Sequence, residues 1–312
     1  MDSLNNPGSV RELTVDSDHS GQRLDNFLTR EIGPVPRALV YRLIRTGQVR
    51  INGGRAKPMR KLSAGDRVRI PPVRTEPQRP RQLPAEMIER VCASVVHRQA
   101  ELLVIDKPAG LAVQGGSGLK FGLNDLVAEI EPGAVPVHRL DRDTSGLIVF
   151  ALGRRNASEL QRVFRGDEVN GGRIEKRYFA LLEGHLTGQR VDVDLPILKI
   201  RDSSGQHRVV VSDQGSRARS SFKLLERLAR YDFVEVRIDT GRTHQIRVHA
   251  QSLGSPVVAD SRYNPERPPT GLGRMFLHAG YLRLPWPEDQ VFSAPLPEPL
   301  TAVLDRLRCA SQ

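Results

Sequence analysis

Residues 138–150, HRLDRDTSGLIVF, join a short polar segment directly to an apolar run. The apolar part has the composition of a buried strand, and two carboxylates, two guanidiniums and an imidazole lie within residues 138–143. Polar loops beside a buried strand often present catalytic side chains. Neighbouring guanidiniums favour an ionised carboxylate, which suits a nucleophile or a general base. An ordinary turn with paired charges would have the same local pattern, so this stretch alone leaves both interpretations open.

Further strand-like runs and two helical patterns surround this stretch. Strands are predicted at residues 102–105, 147–152, 178–182, 233–238 and 276–284, and helices at 157–164 and 243–253. The segment shows neither an internal repeat nor a regular alternation of strands and helices, which argues against a parallel βαβ arrangement. We therefore predict an α+β domain with a mixed, mainly antiparallel sheet.

The first quarter of the chain has a different pattern. Residues 24–32 and 38–45 carry apolar residues at helical spacing, and Gly47 ends the second helix. Two short alternating segments, residues 49–51 and 67–70, follow as strands. The pattern predicts a small α/β module of two helices and a ribbon.

A proline-rich segment separates the two patterns. Five prolines lie within residues 71–86, too many for a core element, so a stiff linker is predicted. The expected organisation is a flexible lead-in, the small module, the linker and the larger domain, at residues 1–18, 19–72, 73–86 and 87–312.

The positive charge is concentrated near the N-terminus. The formal net charge is +11, and residues 1–81 hold 16 basic and 8 acidic groups. Basic side chains neutralise phosphates and release condensed counterions, so this distribution indicates a nucleic acid as the partner. A solubility tail would be rich in lysine, whereas 40 of the 47 basic residues are arginine.

Composition argues against several other classes of protein. No apolar run approaches the roughly 20 residues that a membrane span needs, and the first residues lack the pattern of a secretory signal. Cys92 and Cys309 are too few for a disulfide framework or a cysteine-based zinc site, and a reducing cytoplasm is expected. The segments at 107–110 and 115–118 match neither a P-loop nor a dinucleotide fingerprint, so no nucleotide cofactor is expected.

A second polar cluster, DTGRTHQIRVH at residues 239–249, follows a predicted strand and opens a helix. Thr240 or Thr243 could cap that helix, and Arg242 is placed to pair with a carboxylate or a phosphate. The two histidines of the cluster are five residues apart and share no helix face, so no metal site is expected. Tyr178, at another strand entry, fits either a core aromatic or a platform on which an RNA base stacks.

Taken together, these segments resemble the RluA family of pseudouridine synthases, and most closely its RluC branch, which acts on large-subunit ribosomal RNA. HRLDRDTSG at 138–146 is similar to the catalytic motif, and GRTHQIRVH at 241–249 to the second signature. Lys176-Arg177-Tyr178 is similar to the tyrosine motif, and Lys107-Pro108 and Leu277-His278-Ala279 match in order.

The basic residues 1–81, called the head below, resemble an S-four-like RNA-binding domain. The matching segments are Arg23-Leu24-Asp25, Leu43-Ile44 and Gly65-Asp66. The sequence departs from the family pattern at Ser255, where a histidine is usual, and over residues 217–221. Both departures bear on the choice of target uridine, because neither lies in the catalytic motif.

The resemblance implies a pseudouridine synthase fold and the isomerisation of specific uridines in large-subunit (23S) ribosomal RNA. The N1–C1′ bond of the uridine is cleaved, the base rotates, and it rejoins the sugar through C5. An isomerisation needs no cofactor and no metal, and a cytoplasmic monomer acting on an assembly intermediate is expected. A transfer RNA substrate, or a non-catalytic RNA-binding assembly factor, are the alternatives.

The resemblance also implies a role for each site residue. Asp141 is the expected essential carboxylate, either as a covalent nucleophile or as the base that removes a sugar proton. Arg242 is expected to pair with Asp141, and Leu277 to wall the pocket. Tyr178 is expected to stack on the uracil or to help remove the C5 proton, and Arg139 to fill the gap that the flipped nucleotide leaves. The expected RNA-binding residues of the head are Arg23, Arg37, Arg42, Arg45 and Arg50.

Overall fold

The computed structural model describes residues 9–33, 35–73, 83–115, 121–201, 207–265 and 271–310. The chain divides into an N-terminal unit, Met1–Gln82, and a C-terminal unit, Leu83–Gln312. Within the described ranges, no helix is long and apolar enough to cross a membrane.

The N-terminal unit combines two helices with a four-stranded antiparallel sheet. Its elements are β1 (Arg11–Thr14), α1 (Leu24–Ile32), α2 (Arg37–Arg45), β2 (Arg50–Ile51), β3 (Gly54–Arg55) and β4 (Arg67–Ile70). The strand order is β1-β4-β2-β3. Both helices are amphipathic, and their apolar faces bury Leu24, Leu28, Val40 and Ile44 in one core with Val68 of β4.

Residues 11–14 belong to this sheet, in contrast to the flexible lead-in predicted for residues 1–18. β1 pairs with β4 along its whole length, from Arg11 opposite Ile70 to Thr14 opposite Arg67. Residues 11–14 read RELT, with a single apolar side chain, so they lack the alternation that would identify a strand, and the sequence pattern missed it. Residues 1–8, and residues 74–82 of the predicted linker, lie outside the described part of the chain.

The C-terminal unit is built on a ten-stranded sheet. Its strands are β5 (Val95–Arg98), β6 (Leu102–Lys107), β7 (Ala134–Pro136), β8 (Ser145–Leu152), β9 (Glu175–Glu183), β10 (Arg190–Asp194), β13 (Arg219–Leu228), β14 (Tyr231–Ile238), β15 (Leu277–Leu284) and β16 (Gln290–Ser293). A separate antiparallel ribbon is formed by β11 (Ile197–Arg201) and β12 (His207–Val211). The helices are α3 (Ala85–Ala93), α4 (Leu123–Ile130), α5 (Arg154–Arg165), α6 (Gln245–Ser252) and α7 (Glu298–Ala310).

The sheet runs β10-β13-β14-β9-β15-β8-β6-β5, with β16 beside β15 and β7 beside β8. β8 and β15 are parallel, and the other pairs described are antiparallel. The prediction of an α+β domain with a mixed, mainly antiparallel sheet is therefore confirmed. The five strands predicted from the sequence correspond to β6, β8, β9, β14 and β15, with differences of up to three residues at their ends.

The apolar run after the polar loop is long because β8 is buried on both faces. Ile148 and Phe150 pack in one core with residues of β9 and β14, whereas Leu147 and Val149 pack in another with α5 and β15. A strand that contacts two cores has no solvent face, so polar alternation is absent. Its N-terminal end therefore sits in the interior of the unit and presents the polar loop from a rigid base.

Candidate active site

His138 anchors the polar loop to the strand that follows it. Its Nε2 accepts a hydrogen bond of 2.9 Å from the backbone N–H of Val149, and its ring stacks on Phe164 at 4.2 Å. Burial lowers the pKa of His138 to about 3, so the neutral imidazole is the acceptor. His138 therefore has a structural role at the start of the motif.

Gly146 ends the motif, at the point where β8 meets β15. Its φ is +113°, and a Cβ there would lie 2.3 Å from the carbonyl oxygen of Ala279. Only glycine permits this approach, so the parallel strand pair forms directly beside the polar loop.

Lys107 ties the loop to the segment after β6. Its buried Nζ donates to the carbonyl oxygens of Pro108, Leu111 and Arg142, at 2.9, 2.8 and 3.1 Å. Burial lowers the pKa of Lys107 to about 7. The backbone N–H of Gly110 donates to the same Arg142 carbonyl at 2.8 Å, so the Lys107-Pro108 motif holds the backbone next to Asp141.

One pocket brings together the predicted site residues of the C-terminal unit. Its lining contains Asp141, Tyr178, Arg242, Leu277 and Arg139. They come from the polar loop, β9, the segment before α6, and β15, which are far apart in the sequence. The structure therefore places all five at a single site beside the N-terminal end of β8.

Arg247, and not Arg242, forms the ion pair with Asp141. Nη1 of Arg247 lies 3.0 Å from Oδ2 of Asp141, whereas Nε of the exposed Arg242 donates to the carbonyl oxygen of Arg217 at 3.3 Å. The predicted pairing was wrong because α6 begins at Gln245. Arg242 stays in the surface loop, and Arg247, in the first turn of a largely buried helix, reaches the interior.

Arg247 bridges two carboxylates. Its Nε and Nη2 donate to Oδ2 and Oδ1 of the fully buried Asp260, at 2.6 and 2.8 Å. Burial alone would lower the pKa of Arg247, but the hydrogen bonds and charge of Asp260, and then Asp141, hold it above its ordinary value. Burial alone would raise the pKa of Asp260, and Arg247 keeps it below its usual range. Asp260 thus orients the guanidinium that holds Asp141.

Gln245 organises the turn before α6. Its Oε1 accepts from the Thr240 hydroxyl at 2.7 Å and from the backbone N–H of Arg242 at 3.1 Å. Its Nε2 donates to Oγ of Ser220, which also contacts Nδ1 of His249, both at 3.0 Å. Among the described residues, no side chain caps the start of α6, so neither Thr240 nor Thr243 is the predicted helix cap. Hydrogen bonds thus connect residues 217–221, which depart from the family pattern, to the second signature at residues 241–249.

Tyr178 and Leu277 form an apolar wall of the pocket. Their exposed fractions are 9% and 3%. Burial and the nearby charge of Asp141 raise the pKa of Tyr178, so its hydroxyl stays protonated at neutral pH. Arg139, which also lines the pocket, is exposed at its rim.

The arginines predicted to bind RNA in the N-terminal unit fall into two groups. Arg37, Arg42 and Arg45 are exposed on α2, and Arg50 is exposed on β2. Arg23 instead donates two hydrogen bonds, of 3.0 and 2.6 Å, to the buried carboxylate of Asp25, so it also serves the fold.

The sequence interpretation missed His244, Arg247, Asp260 and Tyr263 as site residues. The first two lay inside the second signature, and the others follow it at the segment that departs from the family pattern. A buried arginine needs carboxylate partners, which would have pointed to Asp260 once burial was known. Among the described residues, no group of three or more His, Cys, Asp or Glu side chains could hold a metal ion.

Comparison with known proteins gives consistent matches. The family model described as RNA pseudouridylate synthase matches residues 101–252, and the S4 domain model matches residues 22–68. The ribosomal large subunit pseudouridine synthase C of Vibrio vulnificus is 39% identical, over 96% of this chain and 97% of its own. The protein of the same name from Escherichia coli is 38% identical, over 97% and 98%.

A solved structure has the same fold. The human RNA pseudouridylate synthase domain containing 4 is 25% identical and superposes with a TM-score of 0.59, over 72% of this chain and 96% of its own. The fold expected from the motifs is therefore confirmed.

Proposed function

This chain belongs to the RNA pseudouridylate synthase family, and is an isomerase that acts on uridine in RNA; we propose that its substrate is the RNA of the large ribosomal subunit. The similarity to synthases named for that subunit carries this proposal, because it extends over 96% of the chain and includes both units. A transfer RNA substrate is the alternative that the experiment below separates. The enzyme is proposed to act in the cytoplasm as a monomer, on an assembly intermediate of the subunit.

Asp141 is proposed to be the reacting carboxylate. The support is its position in the pocket, with a side chain 17% exposed and an ion pair to Arg247. An ionised carboxylate can attack C1′ or remove a sugar proton, and either route permits cleavage of the N1–C1′ bond. The freed uracil then rotates and forms its new bond to the sugar through C5. The product is an isomer, so the balance of atoms and electrons needs no co-reactant.

The rest of the pocket is proposed to hold the base while it turns. Tyr178 and Leu277 offer an apolar surface on which a neutral uracil stacks, and the protonated phenol of Tyr178 lies close to Asp141. Arg139, exposed at the rim, is proposed to occupy the space that the flipped nucleotide leaves. Residues 19–72 are proposed as the docking module, with Arg37, Arg42, Arg45 and Arg50, together with Arg23, near the phosphates.

The test combines RNA mapping with the Asp141→Asn variant. Pseudouridines are mapped in large-subunit ribosomal RNA and in transfer RNA from cells that lack this protein, then after return of the wild type or the variant. We expect specific large-subunit sites to disappear, and only the wild type to restore them. In vitro, the variant should bind RNA normally and be slower by roughly a thousandfold or more. Loss confined to transfer RNA would contradict the proposed substrate, and an active variant would contradict the role of Asp141.

A further inference from the structure

His244 lies between Asp141 and a buried tyrosine. Its Nε2 is 3.8 Å from Oδ2 of Asp141, and its Nδ1 is 2.8 Å from the hydroxyl oxygen of Tyr263. The two rings pack edge to face, with centroids 5.6 Å apart. The φ of His244 is 56°, in a left-handed region that histidine adopts at a cost, so its surroundings determine its orientation.

The hydrogen bonds of Tyr263 favour one tautomer of His244. The hydroxyl oxygen accepts a hydrogen bond of 3.3 Å from the backbone N–H of Val209 in β12. The hydroxyl proton is then free to donate to Nδ1 of His244, its partner at 2.8 Å. A neutral imidazole whose Nδ1 accepts carries its proton on Nε2, the nitrogen that faces Asp141.

We propose that Tyr263 is a positioning residue, which holds His244 as the neutral Nε2–H tautomer so that Asp141 faces a second N–H donor beside Arg247. This inference rests on the proposed role of Asp141. A movement of about 0.8 Å from the 3.8 Å separation would bring Nε2 and the carboxylate to ordinary hydrogen-bond distance. The inference assigns this movement to the binding of a flipped uridine in the pocket.

The other two protonation states of His244 would interfere with Asp141. With the proton on Nδ1, the Nε2 lone pair would face the carboxylate and repel it. A doubly protonated ring would pair with Asp141 and compete with the substrate for it. The hydrogen bond from Tyr263 to Nδ1 disfavours both states, because it uses the lone pair that a second proton would need.

The charges around His244 support a neutral ring. Burial is the main influence and lowers its pKa to about 4, against the charge of Asp141, which raises it. Arg247 and Arg262 lower the pKa further, and Asp260 raises it. The imidazole is therefore uncharged at neutral pH, and can act as a donor without neutralising the carboxylate.

Tyr263→Phe in the full-length protein tests the inference. Phenylalanine keeps the ring, which lies 5.0 Å from the Arg247 guanidinium, and removes the hydroxyl proton. We expect kcat on RNA to fall about fivefold, the effect of one neutral hydrogen bond, with little change in KM. The acid limb of the kcat profile should move to higher pH, because His244 loses the hydrogen bond that opposes its protonation.

Two further measurements separate positioning from a structural role. Tyr231→Phe is the matched control, because the Tyr231 hydroxyl is buried in the same unit and has no hydrogen-bond partner among the described residues. This control should leave kcat and its pH profile unchanged. Long-range ¹H–¹⁵N spectra of the histidine rings, with the His244 signal identified by its absence in His244→Gln, should show the Nε2–H tautomer in the wild type and its loss in Tyr263→Phe.

A double-mutant cycle completes the test. If Tyr263 acts through His244, Tyr263→Phe should add no further loss of kcat in a His244→Gln background. Additive losses, or a Tyr263→Phe enzyme with the wild-type acid limb and tautomer, would overturn the inference. An active Asp141→Asn enzyme would instead overturn the proposed function, so the two failures are distinguishable.

Discussion

The two units of this enzyme place arginine in opposite environments. On α2, Arg37, Arg42 and Arg45 are exposed to solvent. In the C-terminal unit, Arg247 is 9% exposed by its side chain and donates to two carboxylates, of Asp141 and Asp260. Exposed guanidiniums can exchange water for phosphates, whereas the buried guanidinium is committed to its partners and to their geometry. Net charge thus indicated the partner, but only burial identifies the arginine that pairs with Asp141, the proposed reacting carboxylate.

The largest combined loss of stability and activity is expected at the buried arginine. Arg247→Gln would leave the fully buried Asp260 without its counter-charge and Asp141 without its orienting donor. Loss of one member of a buried pair costs about 3–5 kcal/mol in the free energy of unfolding, and we expect a loss of this size in denaturant titrations. Pseudouridine formation should also fall at least about a hundredfold at temperatures where the variant is folded.

Two variants sharpen this result. Arg242→Gln changes an exposed arginine of the same pocket, and it should have little effect on the free energy of unfolding. Arg247→Gln combined with Asp260→Asn removes both buried charges, so stability should partly return while activity stays low. If Arg242→Gln were the more damaging variant, the ion-pair assignment to Arg247 would be contradicted.

The sequence could predict those features that a local pattern encodes. Chain-local patterns were sufficient for the central strands, since the apolar run of β8 reflects burial on both faces. They were also sufficient to place Asp141, Tyr178 and Leu277 in one pocket, because motif matches carried them there. They were insufficient for β1, whose four residues form a strand only beside β4.

The choice between Arg242 and Arg247 needed tertiary information. Both belong to one signature, five residues apart, and both are chemically able to pair with a carboxylate. The deciding fact is the start of α6 at Gln245, and helix starts are the least certain feature of a sequence pattern. The bridge from Arg247 to Asp260, and the Tyr263–His244 contact, depend on contacts that no local spacing encodes.

A moderate loss of stability is expected at acid pH, and its size should differ between the two units. In the C-terminal unit burial lowers the pKa of His138 to about 3, and of His244 and His278 to about 4. The unfolded chain binds these protons at a pH near 6.5, so stability is full above that pH and declines as pH falls towards 4. Each histidine contributes at most about 1.4 kcal/mol per pH unit over this window.

The N-terminal unit should keep its stability down to a lower pH than the C-terminal unit. Its Asp25 has a lowered pKa, because the hydrogen bonds from Arg23 and Tyr41 outweigh the burial that alone would raise it. Stability from a lowered aspartate pKa is lost only as pH falls below about 3.9. Hydrogen exchange of the full chain at pH 7 and pH 5, corrected for intrinsic rates, should show loss of protection in the C-terminal unit alone. Equal loss in both units would contradict the histidine explanation.

The smallest effect on kcat is expected when exposed arginines are replaced. Arg37→Gln with Arg45→Gln removes two charges from one face of α2, and neither side chain supports the core of the unit. If both contact phosphates, RNA affinity should weaken severalfold, and the slope of log K against log salt should fall by about 1.5, with kcat unchanged.

The matched control for this pair is Arg283→Gln with Arg308→Gln. It removes the same charge from the C-terminal unit, where Asp289 and Glu226 already pair with these arginines. A general effect of net charge would lower the salt slope equally in both double variants. A fall confined to the α2 variant would place the phosphate contacts on the N-terminal unit, because only its guanidiniums would then have exchanged counterions for RNA. An unchanged slope in the α2 variant would contradict the proposed phosphate contacts of Arg37 and Arg45.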